Sequence, residues 1–269
     1  MAAADHGASV AVVTGAARGL GRATALALAE RGFAVVLVAR STADRPNPVL
    51  PGTLEAISYE IERAGGTPLA VPADLADERS AGLVAETTLR HFGRCDVLVN
   101  NAAYSPVGPV ADLPPSKWRA ALMVNVWAPA ALTQAFLGGM LRRGAGRILN
   151  VGSSSAVESI AGAAPYCVTK SALERLTQAV GAEVAGTGVS TTCIRIDERI
   201  ATEADSLMAA SGIGADPAGS SSTSASAFGR AVAWLAGSDA DLNGCVLTLA
   251  QLRHLASAGE AYAVGDLEG

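Results

Sequence analysis

The chain has 269 residues, half of them apolar, and a formal net charge of −5. This composition supports a sizeable buried core and excludes a disordered chain, and without any block of Lys or Arg it excludes a nucleic-acid surface. The opening residues MAAADHGAS hold neither a basic start nor an apolar signal core, and runs such as FAVVLVA fall short of the ~20 residues of a membrane span. A cytoplasmic location with no membrane partner is expected.

Strands are predicted at 10–13, 34–39, 68–71, 96–99, 147–151, 189–195 and 245–249, each a short run rich in apolar residues. Helices are predicted between most of them, at 20–31, 54–64, 78–91, 116–142, 165–186 and 225–235. Continuous apolar strands interleaved with helices predict an α/β fold, a doubly wound parallel sheet of about seven strands with helices on both faces. No repeat or linker divides the chain, so one dinucleotide-binding and catalytic domain over 1–269 is expected, with its core at about 9–250. RSTADRPNPVLPGT (40–53) is a proline-rich loop longer than the usual connection after a strand. SGIGADPAGSSSTSASA (211–227) is rich in Gly and Ser. Together with the residues from 197 it is expected to be a mobile substrate loop, either a lid or a disordered stretch. The tail HLASAGEAYAVGDLEG carries no motif. Cys95, Cys167, Cys193 and Cys245 are dispersed, as are His6, His91 and His254, so buried reduced thiols and no metal site are expected.

The first strand runs into a glycine turn and then a helix, VAVVTGAARGLGRATALALAERG. Gly15, Gly19 and Gly21 let backbone approach a pyrophosphate, and the helix starting near Leu20 aims free amides and its positive end at that anion. Thr14 to Gly21 read T-G-x-x-x-G-x-G, which resembles the short-chain dehydrogenases/reductases; the resemblance spans about 10–249. An acidic residue at the end of the second strand would bond the ribose 2′-hydroxyl of NAD, but Ala39 and Arg40 stand there. A guanidinium can grip a 2′-phosphate, so NADP(H) is favoured over NAD(H), with Arg18 as a second positive charge. The resemblance also places Asp74, followed by Leu75, at the adenine amino group; a helix cap is the other role open to Asp74. DVLVNNAA matches the family's N-N-A-G at Asn100, Asn101 and Ala102, with Ala103 replacing the glycine, and implies that Asn101 and Ala102 line the cofactor.

Only two of the twenty basic residues are lysines, and Lys170 stands four residues after Tyr166 in PYCVTK. That spacing puts both on one helix face, where an ammonium favours the phenolate of a neighbouring phenol. A compact ammonium can also bond a ribose hydroxyl, a role arginine's flat fork fills poorly. The resemblance completes a set: Ser153 in RILNVGSSSAV, with Ser154 and Ser155 as fallbacks, and Asn125 in ALMVNVWAP. It implies that Tyr166 donates a proton to a carbonyl oxygen held by Ser153 while NADPH delivers hydride, that Lys170 tunes Tyr166 and holds the ribose, and that Asn125 helps resupply protons. After the sixth strand CIRIDERIATEAD departs from the family, with Arg195 and Ile196 near its Pro-Gly and Ile200 and Thr202 as expected neighbours of the nicotinamide. The expected activity is oxidoreduction of a ketone or secondary alcohol; a 3-oxoacyl thioester reductase and a non-catalytic dinucleotide sensor are the alternatives. The resemblance further implies a homodimer or homotetramer built through the helices at 116–142 and 165–186.

Overall fold

The structure, a computed structural model, describes residues 7–202 and 223–265. Most of the expected substrate loop, 203–222, lies outside the described residues. Six strands come first: β1 (Val10–Thr14), β2 (Ala34–Ala39), β3 (Thr67–Pro72), β4 (Val97–Asn100), β5 (Gly146–Ser153) and β6 (Val189–Ile196). The two-residue β7 (Ile200–Ala201) and β8 (Thr223–Ser224) pair with each other, and β9 (Cys245–Thr248) ends the main sheet. That sheet has seven parallel strands in the order β3-β2-β1-β4-β5-β6-β9. The order reverses between β1 and β4, and the carboxyl ends on either side of that point form the ligand crevice of an open α/β sheet.

The helices are α1 (Gly19–Glu30), α2 (Leu54–Arg63), α3 (Ser80–Phe92), α4 (Pro115–Leu122), α5 (Ala128–Arg143), α6 (Ala164–Val184), α7 (Ala225–Gly237) and α8 (Leu249–Gly265). Side chains of β1 alternate between faces, as strand geometry requires. Ala11 and Val13 join Leu28, Leu54, Ile57 and Phe228 in one core layer, whereas Val10 and Val12 join Val84, Phe92, Leu132 and Phe136 in the other. Each large side chain buried there contributes about 1.5–3 kcal/mol relative to exposure. All seven main strands and all six predicted helices are present within a few residues of their expected limits. The described part of the motif-free tail, 254–265, continues a helix: α8 turns Leu249, Leu252 and Ala256 inward at helical spacing.

A π-helical turn, Met123–Trp127, joins α4 to α5 and contains Asn125. Pro115–Arg143 as a whole is long and apolar enough to cross a membrane by length and composition alone. Leu132, Phe136 and Met140 are nevertheless buried in the core layer beneath the sheet, the arrangement of a core helix. The loop at 40–53 folds back over the glycine turn. Gly52 has φ 99°, and a Cβ there would lie 2.3 Å from the Ala17 carbonyl oxygen, so only glycine fits that contact.

Candidate active site

Residues 15–18 turn the chain from β1 into α1 at the carboxyl edge of the sheet. A Cβ on Gly21 would meet Gly15 O at 2.2 Å and Asn101 Nδ2 at 2.5 Å, and one on Gly15 would meet that Nδ2 at 2.8 Å. At Gly15 and Gly21 the turn is therefore packed against the end of β4 with no room for a side chain. Asn101 Nδ2 donates to Thr14 O at 2.8 Å, and Thr14 Oγ1 accepts the amides of Asn101 and Ala102 at 3.0 Å each. Ala103 fits in place of the family's glycine without strain, since no described non-glycine residue has positive φ. At the start of α1 no side chain caps the helix and no acidic residue stands in the first turn. The Gly19–Gly21 amides are thus suited to an anion. Leu20 is half-buried against the core.

Arg18 reaches from the turn to the end of β2. Its Nη2 donates to Ser41 Oγ and, at 3.2 Å, to the Gly52 carbonyl. Arg40 next to it is 63% exposed, with Asp74 as its nearest carboxylate at 3.9 Å. Asp74 Oδ1 accepts the Ala76 amide at 3.0 Å within the turn that follows β3, whereas α3 begins only at Ser80 without a side-chain cap, so Asp74 does not cap that helix; Leu75 is buried. Two guanidinium groups and a hydroxyl therefore stand at the end of β2, where a dinucleotide's adenosine ribose would lie.

The expected catalytic residues come from three elements. Ser153 ends β5, where its Oγ accepts the Ser155 amide at 3.2 Å and donates to Ser155 Oγ at 3.1 Å. The turn Ser154–Ala156 is tied to α6 by Ser171 Oγ donating to Ala156 O at 2.6 Å. Tyr166 and Lys170 lie in the first turns of α6, with Lys170 Nζ 5.4 Å from the Tyr166 ring centroid. Lys170 is 2% exposed, and its Nζ donates to the Val151 carbonyl at 2.6 Å, which anchors the ammonium to β5 two residues before Ser153. Asn125 is 1% exposed and makes three hydrogen bonds. Its Oδ1 accepts the Tyr104 amide at 2.8 Å, and its Nδ2 donates to Tyr104 O and Thr169 Oγ1, each at 2.9 Å. Asn125 therefore acts here through its side chain, holding the strand β4 extension to the helix that carries Tyr166.

Arg195, at the end of β6, forms a two-pronged ion pair with Glu174 on α6, at 2.7 and 2.8 Å. Nearby Cys193 is buried, and burial followed by the Glu174 charge pushes its thiol up to about 12. Ile200 lies in β7 with its side chain in the core, so it can offer a cofactor only its backbone. Thr202 lines a depression of about 420 Å³ with Gly19, Arg22 and Arg230. Ser41, Gly52, Thr169 and Glu174 were not among the expected residues. Glu174 alone had a local signal, since it repeats the four-residue step from Tyr166 to Lys170.

A family model for short chain dehydrogenases matches residues 9–203. The chain is 36% identical over 187 residues to a protein named as the ketoacyl reductase of the monensin polyketide synthase of Streptomyces virginiae, covering 69% of this chain and 68% of that one. It is 35% identical over 189 residues to a 3-oxoacyl-[acyl-carrier-protein] reductase of Synechocystis sp., covering 70% and 72%. Among solved structures, a metagenomic short-chain oxidoreductase in complex with NADP superposes with a TM-score of 0.74 at 30% identity, covering 90% of this chain and 96% of that one. The glycine turn, the seven-stranded sheet, the order Asn125, Ser153, Tyr166, Lys170 and these matches together place the chain in the short-chain dehydrogenase family of oxidoreductases, which act on CH–OH groups.

Proposed function

We propose that the protein is an NADP(H)-dependent oxidoreductase that interconverts a ketone and a secondary alcohol, with Asn125, Ser153, Tyr166 and Lys170 as its catalytic residues. The observation that carries this reading is Lys170, buried and anchored on β5, with its ammonium 5.4 Å from the Tyr166 ring. The donor set fits a phosphorylated dinucleotide. A side chain would fill the cradle at Gly15 and Gly21, α1 opens without a cap, and Arg18, Arg40 and Ser41 supply positive charge and a hydroxyl where NAD-specific relatives need a carboxylate.

When bound, NADPH supplies the hydride. The chain's own residues manage the proton and the oxygen. Tyr166 donates its phenolic proton to the carbonyl oxygen, and the nearby ammonium of Lys170 stabilises the phenolate that remains. Ser153 turns its hydroxyl from Ser155 toward the substrate oxygen and shares the charge that develops there. Asn125 keeps α6 and the end of β4 in register, so the phenol and the cofactor edge stay aligned. The reverse oxidation uses the same groups.

Tyr166→Phe tests the reading. The variant should bind NADPH like the parent, as followed by its fluorescence, while carbonyl reduction falls at least about a hundredfold. Unchanged turnover would refute it. The names of the two bacterial relatives favour a second reading, a 3-oxoacyl thioester as the substrate. A kcat/KM for the N-acetylcysteamine thioester of acetoacetate well above those for simple ketones would select it. Binding of NADPH with no turnover on either class would instead indicate a dinucleotide sensor. The same family argument makes the protein a homo-oligomer, and Leu122, Trp127 and Val168 are exposed on the elements that would meet. Light scattering showing a stable monomer would refute that.

A further inference from the structure

We propose that Arg195 and Glu174 form a positioning pair for Lys170: Arg195 occupies the Glu174 carboxylate and so keeps it from drawing the lysine ammonium away from Tyr166. The inference rests on the role given to Lys170 above. Tyr166, Lys170 and Glu174 recur at four-residue steps along α6 and share one face of it. Lys170 is 2% and Glu174 9% exposed. Opposite charges one helical turn apart, screened by little water, attract strongly. The ammonium is nevertheless directed to the Val151 carbonyl, at 2.6 Å, while both carboxylate oxygens are taken by Arg195.

Strand register explains why Arg195 can do this. Val151 pairs with Ile194 and Gly152 with Arg195, so the guanidinium leaves β6 beside the carbonyl that receives the lysine. Cys193 reports the same meeting of charges. Its thiol is pushed up by burial and then by the Glu174 charge, against the opposing pull of Lys170 and Arg195. The arginine stands where the family pattern has its Pro-Gly neighbourhood, so the pair accompanies this chain's departure from that pattern.

The test uses the full chain with Arg195→Met, Arg195→Lys, Glu174→Gln and the double variant Arg195→Met/Glu174→Gln. Arg195→Gln replaces Arg195→Met if the latter does not fold. Three readouts are taken: NADPH affinity by fluorescence titration, kcat and KM with the N-acetylcysteamine thioester of acetoacetate and a ketone panel, and the melting temperature. Arg195→Met should lower kcat about tenfold or more and weaken NADPH severalfold, with the carbonyl KM little changed. Arg195→Lys, Glu174→Gln and the double variant should each return to within about threefold of the parent, because no unpaired carboxylate then competes for Lys170. Parental kcat and NADPH affinity in a folded Arg195→Met, or a folded double variant no better than Arg195→Met, would overturn the proposal. If the parent turns over neither class of carbonyl, the assigned reaction fails. The NADPH titration then decides this point alone, and equal affinities across the set overturn the pair's role.

Discussion

Replacing Asn125 by alanine tests how the site is held together. The side chain is 1% exposed and makes three hydrogen bonds: two to the backbone of Tyr104, just past β4, and one to Thr169 on α6. Each is worth about 0.5–1.5 kcal/mol net, and the Tyr104 amide and carbonyl lose their partner at a part-buried position. Asn125→Ala should therefore cost about 2–4 kcal/mol. For a chain of this size that is a fall in melting temperature on the order of 5–15 °C, read by circular dichroism. Thr169→Val removes only the Nδ2–Oγ1 bond and the bond from Thr169 Oγ1 to Tyr166 O, so about 1–2 kcal/mol is expected. Because the two residues share a bond, the double variant should lose less than the sum of the singles. Oxidoreductase activity at a temperature where the variants remain folded should fall with Asn125→Ala, since the α6 face carrying Tyr166 is no longer tied to the segment after β4. A loss of stability below about 1 kcal/mol, or strict additivity with Thr169→Val, would refute the bridging role.

Arg40→Ala should weaken NADPH by about tenfold to a hundredfold, the worth of one charge-assisted contact, and leave NADH within about twofold in parallel titrations. Equal losses for both cofactors would show that Arg40 does not read the 2′-phosphate. Stability should also fall in alkali. The Cys193 thiol is raised from 9.0 to about 12 by burial and the Glu174 charge, and burial raises Cys95 as well. A folded thiol that keeps its proton where the unfolded thiol has lost it binds more protons in the native state. Stability is then complete below about pH 9 and declines from there toward about pH 12, by up to about 1.4 kcal/mol per pH unit for each thiol. Urea melts between pH 8 and about 11 should show this slope, and Cys95→Ser/Cys193→Ser should flatten it. A slope unchanged in the double variant would assign the loss to other groups.

The parts of the molecule that were legible in the sequence are those governed by local periodicity. The strands read as unbroken apolar runs because a doubly covered parallel sheet buries both faces of each strand. Tyr166 and Lys170 could be paired because a helix brings residues four apart to one face, and the glycine turn because its small residues mark a close approach of backbone. The resemblance to a known family then supplied Ser153 and Asn125. The Asp74 side chain shows where local reading stops. The same carboxylate, just after a strand, suits an adenine contact or a helix cap, and only the fold shows that α3 starts six residues later while Asp74 holds a turn through the Ala76 amide.

What stayed hidden depends on distant partners. Arg18 meets Ser41 and Gly52, and Arg195 meets Glu174, across separations no helical or strand period encodes. Arg195 is the clearest case. In a sequence, an arginine at the end of β6 reads as a departure from the family's Pro-Gly and nothing more. In the fold, β6 lies beside β5, α6 packs over both, and the arginine meets a carboxylate one turn beyond Lys170. The residue that breaks the family pattern and the residue that continues the Tyr166–Lys170 spacing neutralise each other. Under the role proposed for Lys170, a chain with Glu174 one helical turn away calls for a cation at that strand end, and a Pro-Gly there could not supply one.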